Sequence, residues 1–562
     1  MGVFNGKEWK IFFTFWIVYS AFSMYITWNE NTRLDLTLAV VEEGRFSIDS
    51  YYKNTGDRSF FKGHYYTDKM PGMSFIDIPV YVAFKFFFGT PELHYHLYNV
   101  GVTDSWLLFV LLSIIFTSAL FGSLSVVLVY KISDYFTNKE LHRNLIVIVY
   151  GFGTLIFVYS RFFYDHVTSA FFAFLCFYLI FKMKYDKNSR DYSFLAGLAG
   201  GLAVLVSIPS IFLVFGCFIM LILFKSIRRT ALFLLGFVLV MLILMFYNNS
   251  AFGHPLHMGY DYPDPQVVSM YPDECRSPKT FEDKIHCEAL EKKNGDICNQ
   301  LSGVGIDKCL FFIAEYTKNN SFCQSINDSD WKAYCDSIIV FDPDICDDIK
   351  NESMRTRCVG SSQKSSSYFL GARIKNLLYF FKPDRLNVMM RLLVFPYRGL
   401  FFYYPILIFS IIGLFFMYKS YKVETLLIVL FFLSFLLLNA RIFAWWGGFC
   451  FGPRHLTALM PFLMIPLLFS FKKIKMNYII PFIVISLFFN LLSVQYPEEA
   501  GLGKSVDNFI PFGNPLFEHY LPSLLKYGPR STLLEQALNF QFKPFVNVAL
   551  LLLIIYFIWR KK

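Results

Sequence analysis

The chain is written as long apolar runs broken by short polar stretches, and most runs match the ~20 residues that a helix needs to cross the hydrocarbon core of a bilayer. They fall at 9–28, 105–130, 144–160, 167–183, 193–208, 209–225, 230–247, 400–417, 423–439, 455–471, 477–494 and 544–559. The pattern predicts an all-α polytopic membrane protein with about twelve transmembrane helices, or 11–13 by the same criterion. The run from Met73 to Gly89 is also apolar, but a crossing there would move the basic segment 131–143 to the other side. It is therefore expected to lie as an interfacial or re-entrant helix on the outer face.

Composition agrees with this reading. Of 562 residues 55% are hydrophobic and 20% aromatic, which excludes a water-soluble domain of this size. The formal net charge of +10 does not imply a nucleic-acid partner, because Lys and Arg cluster between apolar runs at 131–143, 182–190, 225–229, 419–422, 472–475 and 560–562. Such clusters mark the cytoplasmic side, so the charge reads as topology, with both termini inside and a multi-pass location in the cell membrane. Lys7 and Lys10 precede an apolar run from Ile11 to Trp28 that is longer than a signal peptide's, and a retained first span is expected. The outer side then receives 29–104, 161–166, 248–399, 440–454 and 495–543. These segments hold most of the Tyr, Gly, Pro, Arg and carboxylates, so the chemistry is expected to face outward.

Cysteine usage marks a second kind of structure. Cys275, Cys287, Cys298, Cys309, Cys323, Cys335, Cys346 and Cys358 recur at spacings of 11 to 14 within one hydrophilic stretch, whereas Cys176, Cys217 and Cys450 sit in or beside apolar runs. An even set at regular spacing, without close pairs, favours disulfides in an oxidising compartment over zinc. Segments such as CEALEKKNGDIC and CDSIIVFDPDIC predict short helices stapled to their neighbours. Asn248, Asn319, Asn327 and Asn351 begin N-x-S sequons on the expected outer side. The resulting division is 1–270 as an N-terminal transmembrane module with outer loop 29–104, 271–365 as a Cys-rich helical insert, and 366–562 as a C-terminal transmembrane module.

Candidate chemistry lies at the outer mouths of the spans. Glu30, the first carboxylate after the first span, reads either as a helix N-terminal acid favoured by the dipole or as a general base whose partial desolvation tunes it. Asp35 lies about one and a half turns further on. Tyr66-Thr67-Asp68-Lys69-Met70-Pro71-Gly72 is a capped helix start on one reading and a lysine at headgroup level suited to a phosphate on the other. Arg161 to His166 is a short outer connection that brings Asp165 to the surface holding Glu30; a snorkelling Arg with a paired Asp is the alternative. Tyr397-Arg398-Gly399 and Trp445-Trp446-Gly447-Gly448-Phe449-Cys450-Phe451-Gly452-Pro453-Arg454-His455 place Arg398 and Arg454 in backbone broken by Gly and Pro. Aromatic belts account for the Trp and Tyr there, and an anionic headgroup would account for the arginines.

In this order the motifs resemble the GT-C superfamily of polyprenyl-phosphate-dependent glycosyltransferases, nearest to the branch of protein O-mannosyltransferases and the aminoarabinose transferase of lipid A. Glu30-Asn31-Thr32-Arg33 is similar to that branch's acidic element after the first span, Tyr66 to Gly72 to its lysine-proline element, and Arg161 to Asp165 to its Arg-to-Asp element. The resemblance covers the first ~260 residues and about 390–470. It implies a GT-C-like fold and a sugar donor on a polyprenyl (dolichyl) phosphate. It also implies an outward-facing site and inversion at the anomeric carbon. By position, Glu30 and Asp165 would be catalytic, while Lys69, Arg161, Arg398 and Arg454 would bind the donor phosphate. Arg33, Asp68, Tyr66, His166 and Trp446 would contact substrate. The family's usual Asp-Glu pair is here Asn29-Glu30 or Glu30-Asn31, which leaves one firm base and an open question of divalent metal; no metal ligand is assigned. The expected partners are membrane lipids, the lipid-linked donor and a protein, glycan or lipid acceptor. A polytopic transporter or lipid flippase is the rival reading. The spans are almost free of charge, however, and show no half-to-half similarity, both unlike a transporter.

Overall fold

The structure is a computed structural model. It describes residues 4–25, 28–92, 104–186, 188–262, 264, 280–292, 294–317, 319–340, 343–352, 354, 355, 358, 383–441, 445–448, 450–495, 514–529, 532–537, 556, 558 and 559. The chain divides into two compact units, one of Met1–Thr37, Met70–Leu244 and Leu378–Lys562, the other of Leu38–Lys69 and Met245–Leu377.

The first unit is helical. Among the described residues, Asp104–Ser133, Asp165–Tyr185, Ile227–Phe252, Lys422–Arg441, Arg454–Lys473 and Met476–Ser493 are long and apolar enough to cross a membrane, and Ser193–Val206, Ile208–Ile222 and Pro405–Tyr418 are shorter apolar helices. Six of the twelve expected spans therefore stand as full-length helices among the described residues, and others as shorter pieces. The first run yields Gly6–Ala21, 144–160 divides into Glu140–Phe152 and Leu155–Tyr159 around Gly153-Thr154, and 400–417 is interrupted at Tyr404-Pro405. Proline lacks the N–H that would continue the hydrogen-bond ladder, and the helix restarts after it. Most of the run 544–559 lies outside the described residues.

Close packing rests on small residues. Gly197 and Gly201, four apart on Ser193–Val206, face Ile227–Phe252 so tightly that a Cβ on Gly197 would sit 2.0 Å from the Phe233 carbonyl oxygen and one on Gly201 2.6 Å from Val240. This is the small-xxx-small device by which membrane helices approach each other without a hydrophobic driving force. Trp16 donates its indole N–H to the Ile115 carbonyl (2.8 Å), at the π-helical segment Ile115–Ala119 where the ordinary ladder is broken.

The helices have chemically distinct ends. Lys131 pairs with Glu8 (2.7 Å) and Lys184 with Glu424 (2.6 Å), all within or beside the basic clusters. On Asp165–Tyr185 the acid opens the helix and Lys182 and Lys184 close it, about 30 Å away at 1.5 Å per residue. Arg454–Lys473 also ends in lysines, Lys472 and Lys473, but opens with a cation.

The second unit contains a hairpin and the disulfide insert. Strands Arg58–Phe61 and His64–Thr67 pair antiparallel, with Arg58 opposite Thr67. Lys62 and Gly63 both have positive φ (48° and 86°), as a two-residue turn matched to strand twist requires. Arg58 pairs with Asp264 (2.6 Å) and donates to the Tyr52 carbonyl (2.6 Å), beside the stacked Tyr52 and Tyr65 rings. In the insert, the helices Phe281–Lys292, Val304–Thr317, Asn320–Gln324 and Ser329–Val340 surround a core of Ile285, Ala289, Leu310, Ile313 and Ala314. Disulfides join Cys298 to Cys309, Cys323 to Cys335 and Cys346 to Cys358. Cys298 and Cys346 leave 3-10 turns and Cys323 leaves a short helix, and Cys309 and Cys335 receive the bond on the following long helix. Cys287 is also disulfide-bonded, and Cys275 lies outside the described residues. A second link repeats with them. Asp307 accepts the backbone N–H groups of Asn327 (2.9 Å) and Asp328 (3.3 Å), as Asp330 accepts those of Lys350 (3.0 Å) and Asn351 (2.9 Å). Of the four sequon asparagines, Asn319, Asn327 and Asn351 are exposed, whereas Asn248 is buried in Ile227–Phe252 and donates its amide to the Pro255 carbonyl (3.0 Å).

Candidate active site

Helix Trp28–Glu43 begins the site. Its residues from Glu30 to Thr37 are all buried, among them Glu30, Asn31, Thr32, Arg33, Asp35 and Thr37. Burying so many polar groups is costly unless each is matched, and the cost is characteristic of a site rather than of a scaffold. This polar stretch is thus a core helix, held there from the next segment. The Ser74 hydroxyl donates to the Arg33 carbonyl (2.7 Å), and the Thr37 hydroxyl donates to the Ser74 carbonyl (3.1 Å).

Arg33 carries the central contact. Its Nη2 meets Asp165 Oδ1 at 2.8 Å, with 3% and 12% of the two side chains exposed. Nη1 donates to the Asn29 carbonyl at 2.6 Å and also to the Asn29 side chain. Glu30 precedes Arg33 by three positions and so lies one turn away on the same helix face. Asp165 opens its own helix, where the dipole favours a carboxylate. It is hydrogen-bonded by Ser207 and lies 3.6 Å from His166 Nδ1. Tyr25 accepts from the Trp106 indole (3.0 Å), donates to Asn31 (2.7 Å) and lies in the field of Glu30 and Asp35.

The strap 445–455 supplies the opposite charge. Arg398 is buried and donates to the Trp446 carbonyl (2.9 Å) and the Gly448 carbonyl (3.1 Å), bracing the turn. Gly447 has φ +81°, and a Cβ there would come within 3.1 Å of Arg454 Nε. The turn therefore leaves room for the arginine, whose guanidinium lies 5.7 Å from the Tyr164 ring centre and within electrostatic reach of Asp165. The His455 ring stands edge-to-face against His166, with centroids 5.7 Å apart. Arg161 is buried and donates to the carbonyls of Val158 (3.3 Å), Phe22 (3.2 Å) and Ser493 (3.5 Å), tying three chain segments together.

Glu30, Arg33, Asp165, His166, Trp446 and Arg454 therefore belong to the first unit, as do Arg161 and Arg398 in their bracing positions. Tyr66, Asp68 and Lys69 belong to the second. There Lys69 lies between Asp57 (3.1 Å) and Asp68 (2.8 Å), and Tyr66 packs on Phe252. Burial pushes the Tyr66 phenol up from its ordinary range. Burial also pushes Asp49 up, but the Tyr65 backbone N–H (2.7 Å), His64 and Ser47 outweigh it and hold that carboxyl below its ordinary value.

Residues 107–247 match the model of the dolichyl-phosphate-mannose-protein mannosyltransferase family. Over that stretch the resemblance read from the sequence is borne out. The match supports a membrane glycosyltransferase that uses a lipid-linked sugar. No curated protein and no solved structure matches the chain. The mannosyltransferase match takes in Arg161, Asp165, His166 and Ser207, whereas Glu30 and Arg33 precede it and Arg454 follows it. No group of three or more His, Cys, Asp or Glu side chains among the described residues is arranged to hold a metal ion.

Sequence reasoning missed three parts of this arrangement. His455 appeared only as the end of a Trp/Gly motif. Ser207 carries no local signal beyond its place before Ile208-Pro209. Asp77, fully buried on Gly72–Phe88, accepts from the Ser113 hydroxyl (3.1 Å). A lone acid in an apolar run was the signal available for it.

Proposed function

We propose that the chain moves a mannose-like hexose from a polyprenyl or dolichyl phosphate carrier to an acceptor hydroxyl on the extracytoplasmic face of the cell membrane. The observation that carries the reading is the buried Arg33–Asp165 pair (2.8 Å), which joins the Glu30 helix to the mannosyltransferase-like segment at the end opposite its lysines.

In this reading Glu30 takes the acceptor proton as the hydroxyl oxygen attacks the anomeric carbon. The bond from that carbon to the phosphate oxygen breaks, its electron pair leaves with the lipid phosphate, and configuration inverts. Asp165 orients the sugar or the acceptor, and Arg33 fixes Asp165 in place. Arg454 and His166 offset the charge that develops on the leaving phosphate, an electrostatic contribution worth most in a dry site. Trp446 offers an aromatic face to the sugar. Arg161 and Arg398 support the reading as braces of that constellation. Lys69, flanked by Asp57 and Asp68, has the chemistry of a headgroup ligand on its own unit. Acceptors of the right class are hydroxyls on protein, glycan or lipid.

The test is transfer of labelled mannose from dolichyl phosphate mannose into the protein, glycan and lipid fractions of membranes containing the chain. Loss of a general base costs about 10²–10⁴-fold in rate, so Glu30→Gln is expected to lose at least a hundredfold while its melting temperature in detergent stays unchanged. Undiminished turnover in that variant would remove Glu30 from the mechanism.

A further inference from the structure

His455 lies outside the roles assigned above, and its surroundings give it one. It follows Arg454 directly on the 3-10 turn Arg454–Leu459, where Gly447 and Arg398 shape the backbone around the arginine. Its ring packs edge-to-face on His166, 5.7 Å between centroids, and His166 in turn packs on Tyr159 (5.6 Å) and Tyr164 (6.0 Å). Among the described residues, the charged and titratable groups near the pair include Asp165 on the His166 helix, Tyr159 and Tyr164 on the preceding segment, Arg454 and Cys450 on the strap, and Arg33 through Asp165, with Glu30 a turn beyond. Two charged imidazoles this close repel, and the Arg454 guanidinium directly precedes one of them in the chain.

We propose that His455 and His166 form an imidazole pair that takes up a proton when a lipid-borne anion binds beside Arg454, so that the grip on the donor's phosphodiester is proton-linked. This rests on the lipid-phosphate reading above and adds the residue that grades it. With the site empty, repulsion keeps the pair at one proton or fewer. An anion next to Arg454 offsets that arginine's field and admits the further proton. By linkage the same coupling must make the anion bind more tightly as pH falls through the range in which imidazole titrates, about pH 5 to 8.

Farnesyl sulfate is a suitable probe, because its single negative charge does not titrate in that range and any pH dependence then belongs to the protein. Its binding to the full chain in detergent is measured by calorimetry from pH 5.5 to 8.5, in buffers of different ionisation enthalpy that report proton uptake. Wild type is expected to bind tenfold or more tightly at pH 6 than at pH 8 and to take up a fraction of a proton. His455→Gln should bind with a flat profile and no uptake. His455→Lys, charged throughout, should keep tight binding at pH 8. His166→Gln gives the same reading from the other ring if His455→Gln does not fold. A wild-type profile that is already flat, or a His455→Gln profile that keeps the wild-type slope and uptake, overturns the proposal while leaving the lipid-phosphate reading in place. Absence of farnesyl sulfate binding by wild type at every pH overturns both.

Discussion

Breaking the Arg33–Asp165 pair from one side is the most informative perturbation. The contact is 2.8 Å long, and 3% of Arg33 and 12% of Asp165 side-chain surface is exposed. At an effective dielectric of about 20 and a charge separation of about 4 Å, the attraction is about 4 kcal/mol. Removing one member of such a pair also strands the other in a dry site, and the measured cost is about 3–5 kcal/mol. Arg33→Met leaves Asp165 with Ser207 and His166, so its loss should fall at the lower end, about 3 kcal/mol. Asp165→Leu leaves Arg33 only its bonds to Asn29 and should cost as much or more. With both replaced, no charge is left stranded, and the double variant should be more stable than the sum of the single losses by about 2–3 kcal/mol. The assay is reversible unfolding in mixed detergent, followed by tryptophan fluorescence over the four-member cycle. Single losses that add to within about 0.5 kcal/mol would show the pair uncoupled. The link between the Glu30 helix and the mannosyltransferase-like segment would then have no energetic basis.

Replacing Cys323 and Cys335 by Ser opens a loop of 12 residues and should destabilise the insert by about 2–4 kcal/mol; a melting transition assigned to the insert that does not move would refute this. Gly197→Val drives a side chain into the Phe233 carbonyl, 2.0 Å from the new Cβ. A loss of about 1–3 kcal/mol is expected for such overpacking, and an unshifted detergent melt would deny the close helix approach. Asp49 has a depressed carboxyl in the folded protein, so its contribution is present at neutral pH and is lost as pH falls through that lowered value. Hydrogen exchange at the Tyr65 amide, which donates to Asp49, should therefore gain protection-loss below about pH 4 relative to Asp49→Asn; identical pH dependence in the two proteins would refute the link.

The apolar runs determined that this chain is a helical membrane protein, because bilayer thickness converts directly into run length, and the Lys and Arg clusters distinguished one end of the helices from the other. The spacing of Cys298 to Cys358 determined that the insert would be stapled, and the order of Glu30, Arg161–Asp165 and Arg454 marked the candidate side chains. Only the tertiary structure shows what those side chains touch. For Arg161 and Arg398 the sequence reports a cation at a mouth, whereas the structure adds N–H groups that donate to backbone carbonyls among the described residues. Burial of the Glu30 helix on all sides was hidden because its polar residues mimic a surface helix, and apolar periodicity carries no information about buried polar contacts. The Arg33–Asp165 pair and the His166–His455 contact join residues 132 and 289 positions apart. Proximity of that kind is set by how helices pack, through glycines and tight turns, and no local pattern encodes it.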